Sequence, residues 1–310
     1  MKVIIFGSDG LVGNSLRRKF SANNSYDCFF STRKDTDLFS FQNTKKVISQ
    51  QKPDLIINAA AKVGGIHANN TQGSDFLIDN LKININIIES IIDMPEVKLI
   101  NLGSSCIYPL NAENPISEKS FMAGTLEPTN SPYAMAKLTS IELGKTLKKE
   151  KGHNILNLMP TNLYGPNDNF SEMNSHVIPG LISRMHKSKI ENQPEFKIWG
   201  TGKPLREFLH VDDLADAILF VHEEGVNEDL INIGSGEEIS IEDLAQLIKK
   251  TIGFQGELSF DKKMPDGNPR KFLNSQKINT LGWKAKIKLK DGIKEVYNWY
   301  LQNINSSKYQ

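Results

Sequence analysis

The chain has 310 residues, enough to bury a sizeable core and to hold one large domain plus a smaller one. Its 37 Lys and Arg against 36 Asp and Glu leave a net charge of +1, which gives no global electrostatic case for nucleic acid or an anionic membrane as a partner. No apolar run approaches the roughly 20 residues of a spanning helix, and two cysteines, Cys28 and Cys106, make no disulfide framework, so a cytoplasmic protein is expected.

The apolar run 3–6 reads as a short buried strand, and it starts too early to leave room for a signal peptide. Gly7, Gly10 and Gly13 follow with G-x-x-G-x-x-G spacing, and 11–20 then takes helical periodicity through Leu11 and Val12. Glycines at a strand-to-helix turn allow a tight bend and close approach of backbone to a pyrophosphate, whose charge the helix N-terminus receives. Alone the triplet is a modest signal; on the first strand of a βαβ unit it is much stronger. Further strands are predicted at 28–31, 55–59, 98–102 and 155–158, with helices near 41–50, 76–93 and 132–149. That alternation predicts an α/β fold, a doubly wound Rossmann-type parallel sheet with ligands at the carboxyl ends of its strands. At the end of strand two, NAD sites place a carboxylate for the ribose 2′-hydroxyl. Here the chain reads Ser31-Thr32-Arg33-Lys34, and the basic pair can meet a 2′-phosphate, so NADP(H) is expected. Asp35 and Asp37 follow and weigh against it; Asp37 and Leu38 are placed near the adenine instead.

Tyr133 and Lys137 form a Y-x-x-x-K spacing in the helix at 132–149, with Ser131 as its cap and Pro132 in its first turn. Four residues is about one turn, so phenol and ammonium share a face. A free Tyr titrates near ~10, and a neighbouring Lys⁺ favours the phenolate. Such a tyrosine can move a proton near neutral pH. Most such spacings are merely a half-buried Tyr beside a solvated Lys; the glycine turn upstream changes the odds. A serine at the end of a preceding strand could bond the same oxygen, and Gly103-Ser104-Ser105-Cys106-Ile107-Tyr108-Pro109 offers two. On an extended backbone Ser104 and Cys106 would point one way and Ser105 the other. This is apparatus for reducing a ketone, or oxidising an alcohol, beside a nicotinamide. Taken singly, Cys106 reads as a small buried hydrophobe and His176 as a surface or capping histidine. The remaining histidines show no metal-ligand spacing, and no metal is expected.

Beyond Met159 the texture changes. Residues 160–166 form a turn-rich loop, 175–185 reads as a helix bearing His176 and Arg184, and 197–199 as a short strand. Residues 206–211 look extended, Asp212 and Asp213 open a helix, 230–233 resembles a strand returning to the sheet, and 241–251 a further helix. The expected division gives 1–160, with returning segments near 206–234, to the nucleotide-binding domain. A smaller, interleaved substrate domain takes 161–205 and 235–303, and the polar end 304–310 frays.

Several stretches carry a resemblance. They are Ala59-Ala60-Ala61-Lys62-Val63-Gly64-Gly65-Ile66, the run 102–109, Leu126-Glu127-Pro128-Thr129-Asn130 leading into Tyr133, and 160–165. They continue with Asn174-Ser175-His176-Val177-Ile178-Pro179, Arg206-Glu207-Phe208-Leu209-His210-Val211-Asp212-Asp213, and Pro265-Asp266-Gly267-Asn268-Pro269-Arg270-Lys271. In this order they resemble the extended short-chain dehydrogenase/reductases acting on nucleotide sugars. The likeness is closest to the branch that epimerises and reduces GDP-4-keto-6-deoxymannose. The resemblance implies Tyr133, Lys137 and Ser104 as the reducing set, and Cys106 and His176 as base and acid of the epimerisation. It implies a GDP-sugar held by Ser104, Ser105, Cys106, Asn162, Arg184, Trp199, Arg206 and Lys271. It implies NADP(H) held by Gly7, Gly10, Leu11, Val12, Gly13, Arg33, Lys34, Asp37, Leu38, Ala59, Ala60, Ala61, Tyr133, Lys137, Pro160, Asn162, Leu163 and His176. A homodimer through helices flanking the sheet is implied as well. The rivals are a sister activity on another GDP-ketosugar (a dideoxyhexose or a heptose), a UDP- or dTDP-sugar 4-epimerase or dehydratase, and a non-catalytic dinucleotide sensor. Trp199 reads equally well as core filler, and Arg206 as the ion-pair partner of Glu207.

Overall fold

Apolar runs bounded by turns set the first half of the chain, of which the computed structural model describes residues 1–171, 175–264 and 266–304 overall. The frayed end expected at 304–310 falls outside the described residues except for Ile304, as do Asn174 and Pro265 of the stretches quoted above. Lys2–Phe6 is β1, Leu11–Ser21 α1, Asp27–Ser31 β2, Phe41–Gln51 α2 and Leu55–Asn58 β3. The short α3, Ile66–Thr71, precedes the long α4, Gly73–Ser90; β4 is Lys98–Leu102, α5 Ser131–Lys151 and β5 Ile155–Pro160. The second half runs β6 Asn162–Tyr164, α6 Val177–Ile190, β7 Glu195–Trp199, β8 Leu205–His210, α7 Val211–Glu223 and β9 Leu230–Ile233. It ends with β10 Glu238–Ser240, α8 Ile241–Ile252, β11 Glu257–Asp261, β12 Arg270–Lys271, α9 Gln276–Leu281 and α10 Leu289–Asn303.

Six strands form one parallel sheet in the order β2-β1-β3-β4-β5-β9. Its strands are unbroken apolar runs because helices cover both faces. Ile5, Ile57, Ile100, Leu156 and Ile231 pack on the layer of α1 and α7. Ile4, Phe6, Ile56, Leu99 and Ile155 face the opposite layer, with Ile48 of α2 and Ile83 and Ile87 of α4. The period-2 alternation thus splits one apolar run between two cores, each buried side chain contributing about 1.5–3 kcal/mol. Strand order reverses between β1 and β3, which opens the crevice where doubly wound sheets bind ligands.

A smaller assembly follows. β8 is flanked by β10 and β12 and also pairs with β6, and β7 pairs with β11. Phe196, Phe208, Ile182, Leu244, Ile248, Val296 and Tyr297 form its core. The chain crosses between the two assemblies repeatedly: β5 passes through Thr161 into β6, and β8 runs straight into α7, which packs on α1.

Local chemistry moved several boundaries. The helix expected from residue 175 begins at Val177, because His176 is extended. Val211 is helical, because the His210 ring caps α7 by accepting from the Asp212 N–H. β3 stops at Asn58, whose carboxamide turns back to accept from the Ala60 N–H. Strands β6, β10, β11 and β12 were not foreseen, and β6 lies within 160–166, where a turn-rich loop was expected; pairing with β8 holds it extended. Among the described residues no helix is long and apolar enough to cross a membrane.

Candidate active site

The glycine turn sits at the crevice, and it has no spare room. Gly7 has φ +76°, and a Cβ there would lie 2.7 Å from the Ala60 Cα. A Cβ on Gly13 would come within 2.1 Å of the Gly7 carbonyl oxygen. Glycine is therefore required twice, once for the left-handed backbone and once for contact between helix and strand. Gly10 precedes α1 without any side-chain cap, and the first turn carries no acid. Leu11 and Val12, the next residues, open that helix. The opening N–H groups of α1 are thus left for an anion. Across the crevice Ala59, Ala60 and Ala61 leave β3, with the Ala59 N–H held by the Phe6 carbonyl at 3.1 Å. This cradle fits a dinucleotide pyrophosphate. Beyond β2, Arg33 and Lys34 are exposed. Asp35 folds back on its own turn, accepting from the Thr32 N–H at 2.9 Å and hydroxyl at 2.6 Å, and those bonds hold its carboxyl below the usual range. Asp37 accepts from the Phe39 N–H, and Leu38 is half-buried against the α2–α4 core.

Tyr133 and Lys137 stand on α5. Asn130, not Ser131, is the residue before that helix, with Pro132 in the first turn. Lys137 is buried, and its Nζ donates to the Leu102 carbonyl at the end of β4, 2.7 Å away. It lies 5.7 Å from the centre of the Tyr133 ring, so the two do share a face. Burial brings the Lys137 pKa down to about 8. Tyr133 goes the other way from the sequence expectation: burial first, then the neighbouring Cys106, raise its phenol, and a hydrogen bond with Ser104 offsets only part. Tyr133 keeps some surface open to solvent, which places it on the floor of a cleft rather than in the core. Phe76 buttresses its ring edge-on, at 6.4 Å and 83°. A ladder of buried amides locks α5 and α4 to the sheet. Asn58 donates to Asn84 at 3.1 Å and to Asn101 at 2.8 Å, while Asn101 donates to Ser140 at 2.7 Å and Asn157 at 3.2 Å.

The Ser-Ser-Cys turn corrects the alternation expected for it. Ser104 is extended, but Ser105–Ile107 makes one turn of 3₁₀ helix, with the Ser104 Oγ accepting from the Cys106 N–H at 3.2 Å. Cys106 reaches Tyr133 by that turn and not by strand alternation. Ser105 is buried, the least accessible of the three. The Cys106 Sγ receives the Asn130 Nδ2 at 3.5 Å and the Lys271 Nζ at 3.6 Å. Asn130 was not foreseen as a site residue; its position just before the Tyr133 helix was the available signal.

Pairing of β12 with β8 sets Lys271 opposite Arg206. Burial lowers the Arg206 pKa, and Asp266 partly offsets this. Glu207 is no ion-pair partner of Arg206. Adjacent strand residues face opposite ways, and Glu207 is fully buried, accepting from the Gly236 N–H at 2.9 Å and the Leu273 N–H at 3.2 Å. Its own carbonyl accepts from the Asn162 Nδ2 at 2.8 Å. Pro160 closes β5 and Leu163 continues β6 beside that contact. Trp199 is 57% exposed and so does not fill the core, a place taken by Phe196. The Arg184 guanidinium lies 5.7 Å from both the Trp199 and Phe196 rings. His176 heads α6, open to solvent on one side yet crowded by protein, and desolvation lowers its pKa. The structure therefore gathers Ser104, Cys106, Asn130, Tyr133, Lys137 and Lys271, with Arg206 alongside. Arg184 and Trp199 form a second group, and among the described residues no hydrogen bond joins His176 to either.

The sequence profile of the NAD dependent epimerase/dehydratase family matches residues 3–234. GDP-L-fucose synthase 1 of Arabidopsis thaliana is 46% identical over 303 residues, covering 98% of this chain and 94% of that protein. GDP-L-fucose synthase of Escherichia coli (strain K12) is 42% identical, covering 97% of each. The crystal structure of a GDP-L-fucose synthetase from Naegleria fowleri bound to NADP superposes with a TM-score of 0.90 at 30% identity, covering 99% of this chain and 94% of that one.

Proposed function

The chain belongs to the NAD dependent epimerase/dehydratase family, and on that premise we infer that it is an NADP(H)-dependent epimerase and reductase. It inverts C3 and C5 of GDP-4-keto-6-deoxy-D-mannose and reduces the C4 ketone, giving GDP-L-fucose. One observation carries this reading beyond a plain reductase: the Cys106 thiol lies in the same cluster as Ser104, Tyr133 and Lys137.

The C4 ketone makes the C3 and C5 protons acidic, because the carbanion left behind is an enolate. Inversion removes a proton from one face and returns one to the other, which needs two groups. Cys106, with the Asn130 and Lys271 donors on its sulfur, is assigned as base. His176 is assigned as acid, its lowered pKa easing release of a proton. The glycine turn of Gly7, Gly10 and Gly13 would hold NADPH, which when bound would supply the hydride for C4. Tyr133 gives its proton to the C4 oxygen, Ser104 donates a hydrogen bond to the same atom, and the Lys137 cation favours the phenolate that forms. Arg206 and Lys271 suit the diphosphate, and Trp199 with Arg184 the remainder of the GDP. The dinucleotide belongs to the six-stranded unit, 1–160 with 206–234, and the sugar nucleotide to the smaller one, 161–205 with 235–303. A homodimer is part of the reading. α4 and α5 pack together and leave Ile78, Ile85 and Met135 exposed. A cytoplasmic location goes with the same reading.

Incubation of the pure protein with NADPH and GDP-4-keto-6-deoxy-D-mannose, with the product identified by NMR, tests it. GDP-L-fucose is expected. A C4-reduced sugar with C3 and C5 unchanged would make the chain a C4-reductase, and no turnover would remove the assignment.

A further inference from the structure

We propose that Arg17 of α1 is a ligand of the cofactor's 2′-phosphate and shares with Arg33 the discrimination against NAD(H). The inference rests on the NADP(H) reading above and concerns a residue that neither motif nor resemblance singled out. Arg17 stands one helical turn past Gly13, on the same face, so it is directed to the junction of β1 and β2. Its guanidinium lies 4.5 Å from the centre of the Phe30 ring, and its Nη2 donates to the Ser8 Oγ at 3.2 Å. Ser8 is fully buried and is itself held by the Ser31 carbonyl at the end of β2, at 3.1 Å. The planar head is therefore fixed from below by a ring and from the side by a hydroxyl. In this fold the adenosine ribose of a dinucleotide sits beyond the ends of these two strands.

The group is also short of partners. A guanidinium carries five N–H donors, and the Ser8 contact uses one. Among the described residues no carboxylate comes within 4.0 Å of Arg17, so it forms no ion pair. Asp35 feels the Arg17 charge but keeps its carboxylate on Thr32. A half-buried, oriented cation with unused N–H donors beside the glycine turn suits an incoming anion. The turn itself supplies no cation, because Asp9 occupies its tip. Arg33 and Lys34 are exposed on the loop above. Arg17 would grip the phosphate from the helix side while Arg33 closes over it. A planar fork suits two phosphate oxygens better than a lysine could.

Calorimetric titration of the full chain with adenosine 2′,5′-bisphosphate and with 5′-AMP tests this without turnover. Wild type should prefer the bisphosphate. Arg17→Gln should weaken the bisphosphate by about 10–100-fold, the worth of a charge-assisted fork, and shift 5′-AMP by no more than about 2-fold. Arg33→Gln should lose a similar factor. Arg17→Lys, which keeps charge but not the fork, should fall between and serves as the readout if the glutamine variant fails to fold. An unchanged preference in Arg17→Gln would overturn the assignment, as would equal weakening of both ligands, which marks a purely structural arginine. A wild type with no preference would instead overturn the NADP(H) reading on which the assignment stands.

Discussion

At the residue scale, Tyr133 is where the two proposed chemistries meet, since Ser104 and Cys106 both bear on its phenol. Tyr133→Phe should retain cofactor binding but lower C4 reduction by at least ~10²-fold in single-turnover NADPH oxidation. Near-normal rates would remove Tyr133 from the mechanism. Cys106→Ser should stop deuterium uptake from solvent at C3 and C5 while still oxidising GDP-L-fucose at C4; exchange at the wild-type rate would make Cys106 a packing residue. Lys137 should set the alkaline limit of the proposed reaction. Its folded pKa is lowered, so the folded chain binds this proton less tightly than the unfolded chain. The cost of burying the cation is present below about 8 and is relieved as pH rises from about 8 towards 10.5, so Lys137 favours folding at alkaline pH. In the proposed mechanism, however, catalysis needs the cation. kcat should therefore fall along an alkaline limb near 8 while the thermal midpoint shows no matching loss; a limb lying near that of a free lysine would refute the role. The spacing of Tyr133 and Lys137 was legible because a helix fixes which side chains share a face. The Leu102 carbonyl that holds Lys137, and the inward turn of Glu207, were not, because periodicity names a face but not the partner waiting there.

At the scale of elements, the glycine turn was legible in the sequence because its constraint is steric and local. Gly13→Ala would place a Cβ 2.1 Å from the Gly7 oxygen, against 3.4 Å for Gly10→Ala. The first should lose roughly 1–3 kcal/mol of stability, and adenosine bisphosphate binding with it, while the second keeps near wild-type stability and loses binding alone, its Cβ standing where the pyrophosphate approaches. Thermal melts and titrations of the two variants check this, and equal behaviour would show that the turn is looser than described. The Ser-Ser-Cys turn was misjudged as extended because a single 3₁₀ turn leaves no periodic trace. The two-residue β12 is equally silent, yet its pairing with β8 delivers Lys271 to Cys106. Glu207 ties that segment down through Leu273. Glu207→Gln replaces one acceptor by a donor, and should cost about 1–3 kcal/mol and raise KM for the sugar nucleotide more than for NADPH. A variant with unchanged stability and KM would show that the strap needs no clasp.

At the scale of the whole molecule, the parallel sheet was readable from alternation alone, whereas the interleaving was visible only as a change in texture after Met159. Oligomeric state belongs here too. Light scattering should find two copies per particle, and Ile78→Glu with Ile85→Glu should give monomers, since both side chains stand exposed on α4. A monomeric wild type would end the idea. The late arrival of β9 has a further consequence. β9 completes the sheet beside β5, but Leu230 follows Pro160 by 70 residues (230 − 160). On a translating ribosome, at ~5–20 residues per second, the outer edge of β5 stays bare for roughly 4–14 s. An open apolar edge is an invitation to pair with a neighbouring nascent chain. Slow codons between β5 and β9 should therefore lower its yield.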